Sequence, residues 1–305
     1  MNDSVIQVQD FRKVYGDFVA VDNISFDVQR GEIFGLLGPN GAGKTSTLES
    51  LEGLRAPDGG SLRIMDVDPA RQVRKLHNLI GVQLQTSALP ENITVNEAMK
   101  FFCAYHDVDP RYDLLDRLGL TGKSKSQYHQ LSTGQQRRLL LALAVAHNPP
   151  VLFLDEPTAG LDVATRVELH DLMRELQTRG TTIVLATHDM AEAEEMTDRV
   201  AILLGGKIAV TGTPLELTAT GAGLTKISVR TENASLSDSD TTFPAVQHQT
   251  FKENYHTYFS TDIAPTVSTI IDYVKAKKDT LIDLRVERPS LEDRFLEITM
   301  NGVPQ

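Results

Sequence analysis

Residues 38–45 read Gly38-Pro39-Asn40-Gly41-Ala42-Gly43-Lys44-Thr45, the pattern G-x-x-x-x-G-K-[ST]. The apolar run Ile33-Phe34-Gly35-Leu36-Leu37 before it predicts a buried strand. Leu48, Leu51 and Leu54 at helical spacing predict a helix over Lys44 to Leu54. Glycines lack a Cβ, so the backbone N–H groups between strand and helix can curl around an anion, and the helix start adds about half a positive charge. In that setting Lys44 would reach the β- and γ-phosphates of a nucleotide, and the Thr45 hydroxyl would ligate Mg²⁺. A glycine-rich turn arising by chance would lack the flanking strand and helix.

The rest of the composition sets bounds. A chain of 305 residues, 41% hydrophobic, has ample material for a globular core and suggests one large domain with an appendage, or two domains. A formal net charge of -11 argues against binding nucleic acid through a broad basic surface. It does not disfavour ATP, because screening over about 8 Å leaves the loop and Lys44 in control locally. The single cysteine, Cys103, lies in an apolar stretch and reads as a small core residue. No secretory leader pattern appears, and no apolar run approaches the roughly 18 residues of a membrane span, so a link to a membrane is expected to pass through a partner.

Outward from the loop, Val5 to Val8 and Ile24 to Val28 alternate as strands, with Tyr15 between them. Tyr15 would either stack on a purine base or fill a partly buried core position. Ile80 to Leu84 predicts a strand ending at Gln85. Thr94-Val95-Asn96-Glu97 has capping-box form and opens a helix over Val95 to Tyr105, the start of a helical insertion. Leu131-Ser132-Thr133-Gly134-Gln135 precedes a long helix over Gln136 to Ala146, with Ser132 in N-cap position. Arg137 and Arg138 in its first turns sit badly against the helix dipole, which suits a site for anions or acidic partners.

Val151-Leu152-Phe153-Leu154 is wholly apolar, as a central parallel strand covered on both faces must be, and it ends in Asp155-Glu156. Carboxylates at the carboxyl end of such a strand lie where ligands bind. Asp155 would hold Mg²⁺ and Glu156 would orient and deprotonate an attacking water; alone, the pair would read as a solvated strand end. Ala159-Gly160-Leu161-Asp162 leads into a helix over Val163 to Thr178. Thr181 to Ala186 is the next buried strand, followed by Thr187-His188. A histidine there is a structural hydrogen-bonder or a γ-phosphate contact. Glu192, Glu194 and Glu195 read as a solvated acidic face. Arg199 to Leu204 and Lys207 to Val210 predict a hairpin, and Gly221-Ala222-Gly223 a linker. Beyond it, strands over 225–230, 245–251, 255–260 and 280–286 with helices over 263–277 and 290–299 predict a small α+β domain, with Thr231 to Asp240 a loose polar loop.

Taken in order, these stretches closely resemble the ATP-binding cassette ATPases, the nucleotide-binding subunits of ABC transporters. The resemblance spans residues 4 to about 218, and its specificity lies in the ordered set. It implies an α/β P-loop NTPase cassette over residues 1–220, with a central mostly parallel sheet, an antiparallel β subdomain and a helical subdomain at about 88–148. A small C-terminal α+β domain, 224–305, follows. It implies ATP and Mg²⁺, with Tyr15 stacked on adenine and Gly38 to Thr45, continued by Ser46, around the phosphates. Thr45, Gln85 and Asp155 would meet the metal, and Lys44, Gln85, Glu156 and His188 would serve hydrolysis. Ser132, Gly134 and Gln135 would grip the ATP of a second copy or a paralogous chain, with Asp162 at the dimer contact. Thr133 departs from the family pattern, which usually has glycine there.

Arg288 to Leu296 resembles the carboxyl-terminal segment of the drug- and antibiotic-exporter type, whose partner is a separate multi-span membrane permease. The resemblance therefore implies a peripheral protein at the cytoplasmic membrane face, exporting a drug-like, antibiotic or lipid-like substrate and using no nucleic acid. A soluble relative acting in translation or DNA repair is the alternative, and such proteins usually carry two cassettes or a coiled-coil insertion. A module that uses ATP only to dimerise is disfavoured by Glu156 and His188.

Overall fold

The computed structural model describes residues 4–85, 89–219, 224–237, 242–252 and 254–301, with side chains through 299. The expected linker 221–223 lies outside them. The chain divides into two compact units, Met1–Pro214 and Leu215–Gln305.

The first unit runs β1 (Ser4–Tyr15), β2 (Phe18–Gln29), β3 (Ile33–Leu37), α1 (Lys44–Leu51), β4 (Gly59–Ile64), α2 (Val73–His77), β5 (Ile80–Gln83), α3 (Val95–Tyr105), α4 (Tyr112–Arg117), α5 (Thr133–Val145), β6 (Val151–Asp155), α6 (Val163–Thr178), β7 (Thr182–Thr187), α7 (Met190–Met196), β8 (Arg199–Leu204) and β9 (Lys207–Gly212). A six-stranded sheet has the order β5-β6-β7-β3-β8-β9, parallel except for β9. A second sheet, β2-β1-β4, is antiparallel.

The apolar runs of the central strands follow from this layering. In β6, Leu152 and Leu154 pack into a core shared with α3, α5 and α6, while Val151 and Phe153 face a second core shared with α1 and the antiparallel sheet. In β7, Ile183 and Leu185 divide from Val184 and Ala186 in the same way. Each fully buried Leu, Val or Phe contributes about 1.5–3 kcal/mol relative to exposure, so alternation is lost because both faces are covered.

Three sequence expectations change here. Helix α1 stops at Leu51 and Leu54 is 55% exposed, so the leucine spacing overran the helix by one turn. Strands β1 and β2 are twelve residues each, and register shifts break the alternation that would have revealed their length. Glu192 is buried, not part of a solvated face.

The second unit comprises α8 (Pro214–Ala219), β10 (Thr225–Thr231), β11 (Val246–Lys252), β12 (Tyr255–Ser260), α9 (Ile263–Ala276), β13 (Leu281–Glu287) and α10 (Leu291–Asn301). Its antiparallel sheet has the order β11-β12-β10-β13, and Ile227, Val229 and Tyr258 pack with Ile270 and Val274 of α9. Residues 231–237 are more ordered than their polarity suggested: Leu236 is buried, and the Asp279 carboxylate accepts from the N–H groups of Asn233 and Ser235. Residues 238–240 of that stretch lie outside the described residues.

Candidate functional site

Register brings the chemistry to one edge. Leu37 pairs with Thr187 and Asp155 with Ala186, so the ends of β3, β6 and β7 lie level. The glycine loop, Asp155-Glu156 and His188 all emerge there, at the carboxyl ends of parallel strands.

The loop is fixed by contacts that only glycine permits. A Cβ on Gly38, whose φ is 151°, would lie 2.3 Å from the Leu203 carbonyl oxygen. One on Gly43, at φ 103°, would lie 2.7 Å from that of Ala20. Lys44 is buried, and its Nζ donates to the carbonyls of Gly38 at 2.6 Å and Pro39 at 3.3 Å, with Glu156 Oε1 at 3.9 Å. Burial lowers its pKa, opposed by the charges of Glu156 and Asp155. The ammonium is thus held inside the loop, where phosphate oxygens would replace carbonyls as acceptors.

Thr45 Oγ1 donates to Asp155 Oδ2 at 3.1 Å. Burial raises the Asp155 pKa, against the hydrogen bond from Thr45. Asp155 Oδ1 is buried with no hydrogen-bond partner. An oxygen-only pair with one oxygen unsatisfied fits a hard divalent cation such as Mg²⁺. Glu156 has φ 51°, a left-handed conformation costing a non-glycine residue about 1 kcal/mol. Its N–H bonds to the Ala186 carbonyl at 2.9 Å, which turns the chain out of β6. His188 Nδ1 lies 2.8 Å from both Glu156 oxygens, and since a carboxylate only accepts, the imidazole N–H is the donor. His188 is exposed and Glu156 buried, so the ring covers the carboxylate from the solvent side.

A cavity of about 340 Å³ is lined by Pro39 to Ser46, Gln85, Asp155 and Glu156. The remaining residues singled out in the sequence do not line it. Tyr15 is 39% exposed, which removes the core alternative; its hydroxyl lies 3.4 Å from Ser46 Oγ. Ser132 caps α5 reciprocally with Gln135: the Gln135 N–H donates to Ser132 Oγ at 3.3 Å, and the Ser132 N–H to Gln135 Oε1 at 3.0 Å. Thr133 is exposed at the first helical position. Gly134 is half-buried, and a Cβ there would meet Leu161 and Thr165 at 3.7 Å, an ordinary contact. Asp162 caps α6 by accepting from the N–H and hydroxyl of Thr165, and the backbone N–H holds its carboxyl below the usual range.

The arginines beside the signature are engaged within the chain. Arg138 donates to the Leu118 carbonyl and to Glu168, both at 3.1 Å, and Arg137 to the Leu84 carbonyl at 3.5 Å. These bonds account for the two arginines within the chain, so they add nothing to the reading of the helix start as an anion site. Sequence reasoning also missed a buried cluster. The Thr158 hydroxyl donates to Glu192 Oε1 at 2.7 Å, and His170 Nε2 lies 3.2 Å from the same oxygen. It ties the turn after Glu156 to α7, the helix after His188, through α6. The signal was faint: Glu192 stands four residues past His188 on a short helix of three glutamates.

With this geometry in place, likeness to known proteins becomes decisive. Residues 21–159 match the ABC transporter family. Over 307 residues the chain is 35% identical to "Nod factor export ATP-binding protein I" of Paraburkholderia xenovorans, covering 98% of both chains. The chain belongs to the ABC transporter ATP-binding proteins. This ATP-binding subunit is also 32% identical to "Daunorubicin resistance ATP-binding protein DrrA3" of Streptomyces coeruleorubidus, covering 98% of this chain and 97% of the other. Among solved structures, a dimeric, post-hydrolysis ATP-binding cassette with ADP and Pi superposes with a TM-score of 0.64 at 25% identity, covering 68% of this chain and 98% of that one. The fold is that of the ABC cassette, an α/β P-loop NTPase, and the relatives place the subunit with ATPases of the drug and antibiotic exporter type.

Proposed function

We propose that this subunit hydrolyses ATP at a site completed by a second chain, and that the cycle drives a separate multi-span permease that exports a drug-like, antibiotic or lipid-like molecule. The observation that carries this reading is the division of the motifs. The loop, Gln85, Asp155 and Glu156 line one cavity, while Ser132, Gly134 and Gln135 do not. A glycine inside a helix costs up to about 1 kcal/mol, yet none of the described residues needs the space at Gly134. Close approach from outside, by the γ-phosphate of ATP on a partner, gives that glycine a purpose.

In this reading the loop amides and Lys44 hold the phosphates, Tyr15 takes the adenine, and Ser46 borders the pocket. Thr45 and Asp155 would hold Mg²⁺, with Gln85 beside it, and the ion would supply charge neutralisation for the β- and γ-phosphate oxygens. Glu156, held by His188, would accept a proton from the attacking water, and His188 would sense the γ-phosphate. Asp162 would meet the partner chain. The cassette is assigned to residues 1–220 and the small α+β domain to 224–305. No helix among the described residues is long and apolar enough to cross a membrane. We therefore place the subunit peripherally at the cytoplasmic membrane face through its permease.

The test is co-expression with its membrane partner and purification in detergent. Joint recovery, with ATP hydrolysis faster in the complex than in the lone chain, is expected. Recovery with ribosomes or DNA instead would favour the soluble alternative.

A further inference from the structure

Glu156, the proton acceptor of the reading above, and His188 are joined twice. Directly, His188 Nδ1 lies 2.8 Å from both oxygens of Glu156. The second connection runs beneath the surface. Two residues past Glu156, the Thr158 hydroxyl donates at 2.7 Å to Glu192 Oε1, and Glu192 stands four residues past His188 in the first turn of α7. Backbone, side chains and helix turn thus close a small ring on the pair. Asp189, the neighbour of His188, caps α7 by accepting from the Glu192 N–H at 3.0 Å, so where Glu192 is pinned the His188 backbone follows.

The two connections differ in environment. The His188 side chain is 58% exposed, so water competes for its bond to Glu156. Thr158, His170 and Glu192 are all buried, where a hydrogen bond is electrostatically stronger. Glu192 also carries a cost, because its Oε2 has no hydrogen-bond partner among the described residues, and an apolar side chain of similar volume would serve packing without it. A carboxylate only accepts, so His170 Nε2, 3.2 Å from Glu192 Oε1, is its second donor. His170 is the middle of a series. Arg166, His170 and Arg174, four residues apart on α6, meet Asp189, Glu192 and Glu195, three apart at α7: Arg166 Nη1 lies 3.6 Å from Asp189 Oδ2, and Arg174 donates to the Glu195 carbonyl at 3.1 Å. The N-cap of α6 is Asp162, and the Thr158 carbonyl accepts from the Leu161 N–H at 3.1 Å, so the turn from Glu156 to Asp162 is held by the same residue that holds Glu192.

We propose that Glu192 is a positioning residue for ATP hydrolysis: through Thr158 and His170 it fixes His188 over Glu156 and ties that pair to the turn carrying Asp162. It is not among the residues that line the phosphate cavity, and it acts through those that are. A displacement of Asp162 by a partner chain reaches the Glu156–His188 pair through contiguous buried contacts. The inference rests on the reading of Glu156 as the proton acceptor.

The test separates the hydroxyl from the packing. Thr158→Val keeps the shape of the side chain and removes the donor, whereas Thr158→Ser keeps the donor and removes a methyl. In whole chains shown by urea unfolding to be folded, Thr158→Val is expected to lower kcat about tenfold or more with KM for ATP within about twofold of the parent, and Thr158→Ser to restore kcat although it gives up more packing. The ring ¹⁵N shifts of His188, which report the nitrogen that carries the proton, are expected to move in Thr158→Val and to hold in Thr158→Ser. His170→Phe removes the other donor at similar volume and is expected to act as Thr158→Val does, so the claim stays testable where Thr158→Val does not fold. Parent kcat with unmoved His188 shifts in Thr158→Val and His170→Phe, or losses in both Thr158 variants that follow only their stability, would overturn the positioning role. A parent chain without ATP hydrolysis, or a Glu156→Gln chain that hydrolyses at the parent rate, would instead overturn the reading of Glu156, and the His188 shifts alone would then decide whether the brace holds.

Discussion

Leu84 and Gln85 are consecutive residues that line different cavities, Leu84 the apolar one and Gln85 the one formed by the phosphate loop, Asp155 and Glu156. One peptide unit therefore separates the apolar cavity from the candidate hydrolysis site. The Leu84 carbonyl accepts from Arg137 in the second turn of α5, the helix that Ser132 caps. A displacement at Leu84 has two short routes, along the chain to Gln85 and through Arg137 to the signature helix. Coupling of this kind needs contiguous contacts rather than a long-range field.

Gly134 separates stability from function. Its space is not required by the described residues, so Gly134→Ala is expected to leave folding unharmed or raise stability by up to about 1 kcal/mol, measured by urea unfolding. ATP hydrolysis is expected to fall by an order of magnitude or more, because the added methyl blocks approach of the partner's phosphate. Marked destabilisation would show that the glycine serves the fold.

Glu192 is expected to matter for stability first. Glu192→Ala strands the Thr158 hydroxyl and the His170 ring in a buried site and should cost about 1–3 kcal/mol in urea unfolding, with Glu192→Gln costing less. A cost within about 0.5 kcal/mol, ordinary for a surface position, would contradict the cluster.

The contrast between Glu192 and Asp155 explains what the sequence conveyed and what it did not. Asp155 ends a run of four apolar residues, so its strand, its burial and its place at the sheet edge all follow from local pattern. The capping box at Thr94 and the N-cap at Ser132 were legible for the same reason, since their partners lie three residues away. Glu192 is buried by Thr158 and His170, 34 and 22 residues distant, and among neighbouring glutamates it looks like any exposed acid. Glu52 was hidden by the leucine spacing, which carried the helix past it to Leu54. The role of Arg137 and Arg138 was hidden because their acceptors, Leu84, Leu118 and Glu168, belong to other elements.

Glu52 should leave a mark on the pH dependence of stability. Its carboxyl, buried just past the end of α1, is pushed up to about 8, above the ordinary 4.5, so the folded chain keeps a proton that the unfolded chain releases between those two values. The stability it contributes is full below about 4.5 and is lost as pH rises toward about 8, at about 1.4 kcal/mol per pH unit. Urea unfolding of the parent and Glu52→Gln across this window is expected to give a shallower fall for the variant, which becomes the more stable chain at the alkaline end. Parallel curves would exclude Glu52 as a buried acid.

The central claim, that one chain carries half of the hydrolysis site, is tested most directly by sedimentation of Glu156→Gln with MgATP. The substitution keeps the shape of the side chain and removes the proton acceptor. The account predicts a chain that is monomeric without nucleotide, dimeric with ATP, and monomeric again when Gly134→Ala is added. A Glu156→Gln chain that binds ATP and stays monomeric, or that hydrolyses ATP at the parent rate, would contradict it.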